Sequence, residues 1–259
     1  MDARLPNLVV LKLGGSVLVD DPSYRQAATF LVERLRSSAG DRFIAVVSAR
    51  KGATDELEQL AQGITRYPNP RSLDLLWSTA EMRSVALLTL HLEELGVAVL
   101  GLNVHETGLR CNESRHGQRG VQSFFSQLRR SLEHHSIVVV PGFFGTLTDG
   151  SIVSLGRGGS DLTAVLLANE LCAERCELLK DVAGYFTEDP GDSPEARHLP
   201  WISYDDAIEM ASRGCELVQR VALEAARQNS LSLVVRGFGD SLPGTVVSTR
   251  ANAECARER

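Results

Sequence analysis

Lysine is nearly missing from this 259-residue chain: it occurs only at Lys12, Lys51 and Lys180, and the other basic side chains are arginine or histidine. An excess of positive charge is missing too. The formal net charge is −6, which gives no electrostatic reason to expect a nucleic-acid partner or an anionic membrane surface. The pair Arg129-Arg130 reads as a solvated helix face. No apolar run approaches the roughly 20 residues of a membrane span. The opening MDARLPNLVVLKLGG has an apolar run only one strand long that flows into a glycine turn, so it does not read as a secretory leader. The five cysteines, Cys111, Cys172, Cys176, Cys215 and Cys255, lack the paired spacing of a zinc ribbon or a disulfide scaffold. Cys172 and Cys176 could share a helix face, but without a second ligand pair they read as small core thiols. These absences predict a cytoplasmic protein without a membrane or nucleic-acid partner.

What is present suits a globular enzyme. The chain is 43% hydrophobic and 23% charged, and its length allows one large domain or two intimate lobes. Strand-like runs at 8–13, 43–47, 97–102, 136–140, 175–179, 231–236 and 245–248 alternate with helical periodicity. The helices are expected near 24–35, 54–61, 73–95, 121–132, 160–171, 204–213 and 217–228. Thr148-Asp149-Gly150 is a hairpin signal. Residues 106–118 read as a loop or hairpin, and 181–200, rich in Gly, Pro and Asp, as a long functional loop. Strands alternating with helices predict an α/β fold with a mainly parallel sheet covered on both faces. A soft division falls near Ser154 to Gly156, giving an N-terminal lobe (1–155) and a C-terminal lobe (156–259) that share one sheet.

Three segments carry chemistry. Ser154-Leu155-Gly156-Arg157-Gly158-Gly159-Ser160-Asp161 leads straight into a helix. Glycines let backbone N–H groups approach an anion, and the helix N-terminus adds partial positive charge. A plain glycine turn capped by Ser160 or Asp161 would look the same, but Arg157 within the turn favours a carboxylate or phosphate clamp. Lys12-Leu13-Gly14-Gly15-Ser16 ends the first strand with a lysine beside two glycines. It is neither a P-loop nor G-x-G-x-x-G, yet the lysine can reach phosphoryl oxygens. Lys180-Asp181-Val182-Ala183-Gly184-Tyr185-Phe186-Thr187-Glu188-Asp189-Pro190 ends another strand and enters the long loop. That composition suits an adenine and ribose site, or an exposed loop with an Asx-turn at Asp189. A chain that uses arginine almost everywhere keeps lysine where a compact ammonium is useful. Lys12 and Lys180 stand at strand ends, whereas Lys51 reads as a surface residue.

In this order the segments resemble the amino-acid kinase superfamily, most closely the catalytic region of aspartate kinases. Val47-Ser48-Ala49-Arg50-Lys51-Gly52-Ala53-Thr54-Asp55, Gly142-Phe143-Phe144-Gly145, Ile202-Ser203-Tyr204-Asp205-Asp206-Ala207 and Pro243-Gly244-Thr245 join the three segments above, so the resemblance runs from about Leu8 to Ser248. It implies a three-layer α/β/α sandwich, and phosphorylation of the side-chain carboxylate of L-aspartate by ATP with Mg²⁺. It further implies that Lys12, Gly14, Gly15, Ser16, Gly158 and Gly159 face the phosphates. Thr54, Glu81, Phe143, Arg157, Ser160 and Asp161 would line the amino-acid pocket, with Lys12, Arg157 and Asp161 in catalytic roles and Asp161 orienting Lys12. Lys180, Asp181, Phe186, Asp189 and Pro190 would surround the nucleotide. No protein ligand set for the metal stands out.

Departures from the aspartate kinase pattern are KLGGSV for KFGGTS, Ala80 before Glu81, Gly191 for an arginine, Arg197 for a lysine, and Gln219-Arg220 for His-Pro. They leave open another acidic or phosphorylated substrate, N-acetylglutamate among them, or a non-catalytic sensor of ATP or an amino acid. A homodimer is implied. Only Arg250 to Arg259 follows the last strand, so regulatory domains are not expected within this chain, and a separate regulatory partner is an alternative.

Overall fold

The computed structural model describes residues 7–38, 40–112, 120–123, 125–215, 217–239 and 242–249. The first part of the chain forms β1 (Leu8–Leu13), α1 (Asp21–Ser37), β2 (Arg42–Val47), α2 (Ala53–Ile64), α3 (Pro70–Glu94) and β3 (Val99–Gly101). A hairpin of β4 (Leu109–Asn112) and β5 (Gly120–Ser123) follows, then α4 (Ser126–His134), β6 (Ile137–Pro141), β7 (Phe144–Thr146) and β8 (Ile152–Ser154). The remainder is α5 (Gly159–Glu170), β9 (Arg175–Lys180), β10 (Trp201–Ile202), α6 (Tyr204–Ser212), α7 (Arg220–Gln228), β11 (Leu233–Gly237) and β12 (Thr245–Val247).

Eight strands make the main sheet in the order β10-β12-β11-β9-β1-β2-β6-β3. Every pairing in it is parallel except β11 with β12. Strands from residues 8–141 fill one half and strands from 175–247 the other, meeting where β1 lies beside β9. Four short strands, β5-β4-β7-β8, form a separate sheet.

Burial on both faces explains why β1, β2 and β6 read as nearly continuous apolar runs rather than alternating ones. Leu8 and Val10 belong to one core, shared with α4, α5, α6 and α7. Val9, Leu11 and Leu13 belong to the other, under α1 and α3. The chain thus forms the expected α/β/α layers. Helix α1 is anchored by a capping box in which Asp20 accepts from the Ser23 N–H at 3.0 Å, an arrangement worth about 1 kcal/mol.

Several element boundaries correct the sequence reading. The helix expected over 121–132 is divided: 120–123 pair antiparallel with β4, and α4 begins only at Ser126. Cross-strand hydrogen bonding overrides helical periodicity there. Of the stretch 106–118, residues 109–112 are strand, while 113–119 lie outside the described residues. Helix α7 starts at Arg220 rather than 217, because Gln219 is extended (φ −69, ψ 141). The hairpin at Thr148-Asp149-Gly150 forms as expected, with the Leu147 N–H on the Ser151 carbonyl at 2.8 Å. Residues 250–259 lie outside the described residues.

Candidate active site

Strand periodicity places the first functional group. Leu8 and Val10 face α5, so Lys12 does too, at the C-terminal end of β1. By the same count Cys176 and Leu178 put Lys180 on that face at the end of β9. Helix α5 lies over both strands and carries Asp161 in its first turn. The three side chains meet: Lys12 Nζ is 2.8 Å from Asp161 Oδ1, and Lys180 Nζ is 3.0 Å from Oδ2. All three residues are buried. Burial opposes ionisation of Asp161, but the two ammoniums outweigh it and hold its carboxyl below the ordinary range. Burial, helped by repulsion from Lys12, outweighs the pull of Asp161 on Lys180 and lowers the affinity of its amine for a proton. Two ammoniums sharing one carboxylate leave a net positive charge beside the mouth of the parallel sheet, the place where open α/β sheets bind ligands.

The glycine turns close on this cluster. A methyl group at Gly14 would lie 2.8 Å from Lys12 Nζ, so the backbone passes directly beside the ammonium. The Gly14 carbonyl accepts from the N–H groups of Val17 and Leu18 at 3.0 and 2.9 Å, which folds Gly15 and half-buried Ser16 into the same turn. At the second turn Gly158, not Ser160 or Asp161, is the N-cap of α5, at φ 80 with no side-chain cap. The expected capping role of those two residues is therefore corrected. Asp161 points instead to the lysines, and Gly158 caps the helix without a side-chain hydrogen bond. A methyl at Gly158 would stand 2.4 Å from Gln219 Cβ, so the side chain that departs from the family pattern packs against this glycine turn. Gly159 is buried against Phe143, Ser160 is buried, and Arg157 is exposed on the turn.

On one side of the cluster lies Glu81, 5% exposed on α3. Burial pushes its carboxyl up to about 8 against the opposing pull of the Ala49 backbone N–H and Lys12. Its Oε2 has no protein partner. Thr54, half-buried, lies in the first turn of α2. Phe143 holds φ 70 and packs edge-on to Phe144 at 4.9 Å between centroids.

On the other side a cleft of about 560 Å³ is lined by Asp181, Tyr185, Phe186, Asp189, Pro190 and Met210 among others. Four of the five residues expected around a nucleotide share its wall. Lys180 does not line it and turns to Asp161. The Asx-turn reading of Asp189 also holds, because its Oδ1 accepts from the Gly191 N–H at 2.8 Å. Arg197 is exposed, its N–H bonded to Thr187 Oγ1 at 3.0 Å. Lys51 is exposed, as a surface residue should be.

The sequence reading missed that the helix carrying Glu81 buries further polar groups. Asp74, Ser78 and Glu81 are all buried on α3, at the helical spacing of one face. That spacing was visible in the sequence, but the strongly apolar residues beside it masked the signal.

A lysine-flanked carboxylate, two glycine turns and a helix N-terminus thus converge at the strand ends, chemistry suited to an anionic ligand. The sequence model of the amino acid kinase family matches residues 7–237, and the chain belongs to that family. It is 36% identical over 247 residues to the aspartokinase of Geobacillus stearothermophilus, covering 95% of this chain and 60% of that one. It is 38% identical over 241 residues to an aspartokinase of Thermus thermophilus, covering 93% and 59%. The chain thus spans about three-fifths of the length of these relatives. Among solved structures, Escherichia coli aspartokinase III in complex with aspartate and ADP superposes with a TM-score of 0.78 at 26% identity, covering 93% of this chain and 64% of that chain.

Proposed function

We propose that the chain is an aspartate kinase catalytic unit that transfers the γ-phosphoryl group of ATP to the side-chain carboxylate of L-aspartate. The observation that carries this reading is the position of the Lys12–Asp161–Lys180 cluster, between an orphaned buried carboxyl and the cleft of the 181–190 loop. A carboxylate oxygen of aspartate attacks phosphorus and the bond to the β–γ bridging oxygen breaks, giving 4-phospho-L-aspartate and ADP. No proton moves, since a carboxylate is already nucleophilic at neutral pH. The protein's work is alignment and neutralisation of charge on the transferring group. Lys12 and the N–H groups of Gly14 and Gly15 face its oxygens, and Asp161 aims Lys12. Glu81 receives the substrate ammonium, while Arg157, Thr54, Phe143 and Ser160 complete the pocket. The nucleotide lies in the cleft along Asp181, Phe186, Asp189 and Pro190.

Both Asp161 oxygens are engaged by lysines, and among the described residues no group of three or more His, Cys, Asp or Glu converges. Mg²⁺ fits here as a companion of the nucleotide, held by phosphate oxygens and water, with Asp181 offering a carboxylate in the cleft wall. Bound so, it would neutralise phosphate charge.

The same reading assigns the substrate to residues 1–155 and the nucleotide to 156–259, in a cytoplasmic homodimer that a separate regulatory subunit could control. No helix among the described residues is long and apolar enough to cross a membrane. The test is ADP release from Mg-ATP across a panel of small acids, with hydroxylamine trapping of acyl phosphate. Turnover with L-aspartate and a trapped hydroxamate is the expected result. Turnover with a different acid alone would move the substrate assignment. ATP binding without turnover would make the chain a sensor.

A further inference from the structure

Helix α3 buries one face along its length, but the chemistry of that face changes halfway. Val85, Leu88 and Leu92 make its C-terminal half, packed in the core under the sheet. Asp74, Ser78 and Glu81 continue the same stripe toward the N-terminus. Polar groups are costly to bury unless partnered, and most of those nearby are. Ser78 Oγ donates to the Leu75 carbonyl and Ser84 Oγ bonds the Tyr24 hydroxyl, each at 2.7 Å.

On the N-terminal half of this helix two shielded atoms have no hydrogen-bond partner: Glu81 Oε2 and Trp77 Nε1. Trp77 precedes Glu81 by one helical turn, which makes the two side chains neighbours, with about 5–6 Å between Cβ atoms. An indole N–H only donates, and a carboxyl group offers an accepting oxygen even with its proton on. The helix therefore carries an unused donor one turn from an unused acceptor, both shielded from solvent. The contrast with Trp201 is direct, since its Nε1 donates to Ser248 Oγ at 3.0 Å.

An α-amino acid carries its ammonium and α-carboxylate on one carbon, so a group that meets the acceptor brings a carboxylate within reach of the donor. We infer that Trp77 is a specificity-determining residue whose indole N–H donates to the α-carboxylate of the substrate while Glu81 takes the ammonium. This rests on the aspartate reading above. Arg157 supplies charge to the pocket; Trp77 supplies a neutral, directional donor fixed by helix packing.

The test compares wild type with Trp77→Phe, which keeps an aromatic ring and removes the N–H. Binding is measured calorimetrically, with a non-hydrolysable ATP analogue present, for L-aspartate and for β-alanine. The latter keeps the ammonium and the reactive carboxylate but has no α-carboxylate. The expected result is L-aspartate binding about tenfold weaker in the variant, as for one lost hydrogen bond to a charged group, with β-alanine unchanged. The preference for L-aspartate over β-alanine then falls about tenfold. An unchanged preference, whether both ligands weaken together or neither does, overturns the role of Trp77 and leaves the aspartate reading standing. Wild-type protein that does not bind L-aspartate overturns both.

Discussion

Glu81 is a carboxyl whose proton is held up to about 8 by burial, and this has consequences for stability and for binding. Between its unfolded and folded values the folded protein holds a proton that the unfolded chain has lost. Its contribution to stability is complete below the unfolded value, near pH 4, and is lost as pH rises toward 8. Glu81→Gln removes that dependence. The stability difference between variant and wild type should therefore shift in the variant's favour by a few kcal/mol from pH 5 to pH 8.5, readable as paired denaturant titrations. A flat difference would mean that the carboxyl is ionised in the folded protein throughout. On the proposed aspartate kinase reading the same substitution also takes away the acceptor for the substrate ammonium, so KM for L-aspartate should rise by about tenfold or more, as for loss of a charge-assisted hydrogen bond.

At the level of elements, the glycine turn before α5 couples two helices. Gly158 sits at φ 80, and a methyl group there would run into Gln219 at the start of α7. Gly150 has nearly the same φ, 81, but open space around its α-carbon. Gly150→Ala should show only the cost of left-handed backbone, about 1–2 kcal/mol. Gly158→Ala should cost about 1–3 kcal/mol more, as overpacking does, and Gln219→Ala in the same chain should restore most of that excess. Thermal melts of the four proteins check this; equal losses at the two glycines would remove the Gln219 contact.

The turn itself was legible in the sequence, because glycines, a strand end and a helix start are local signals. Its contact with Gln219 was not, because it joins residues about sixty positions apart. The same limit explains the divided helix at 121–132, where β4 supplies the competing partner, and Lys180, whose strand end was readable although its turn toward Asp161 was not. Arg157 stood out within its glycine turn, whereas Glu81 was legible only through resemblance, because no local pattern in the sequence distinguishes a buried orphan carboxyl from a solvated one.

Across the whole molecule, the Lys12–Asp161–Lys180 cluster spans the seam where the two halves of the sheet meet, since Lys12 ends β1, Lys180 ends β9 and Asp161 belongs to the helix over both. Asp161 thus has a structural task besides the aiming of Lys12 proposed above: it is the counter-charge that lets two buried ammoniums coexist. Asp161→Asn leaves them facing each other, and removing one partner of a buried ionic cluster costs about 3–5 kcal/mol. If the ammoniums face the phosphates, a bound triphosphate supplies the missing negative charge. Mg-ATP should then raise the melting temperature of Asp161→Asn by more than it raises that of wild type, even as the variant loses turnover. The excess reflects ligand binding that favours the folded state and relieves a repulsion the ligand-free variant retains. Equal increments in the two proteins would place the triphosphate away from the lysines, and the cluster would then be a structural tie across the seam rather than the phosphate site.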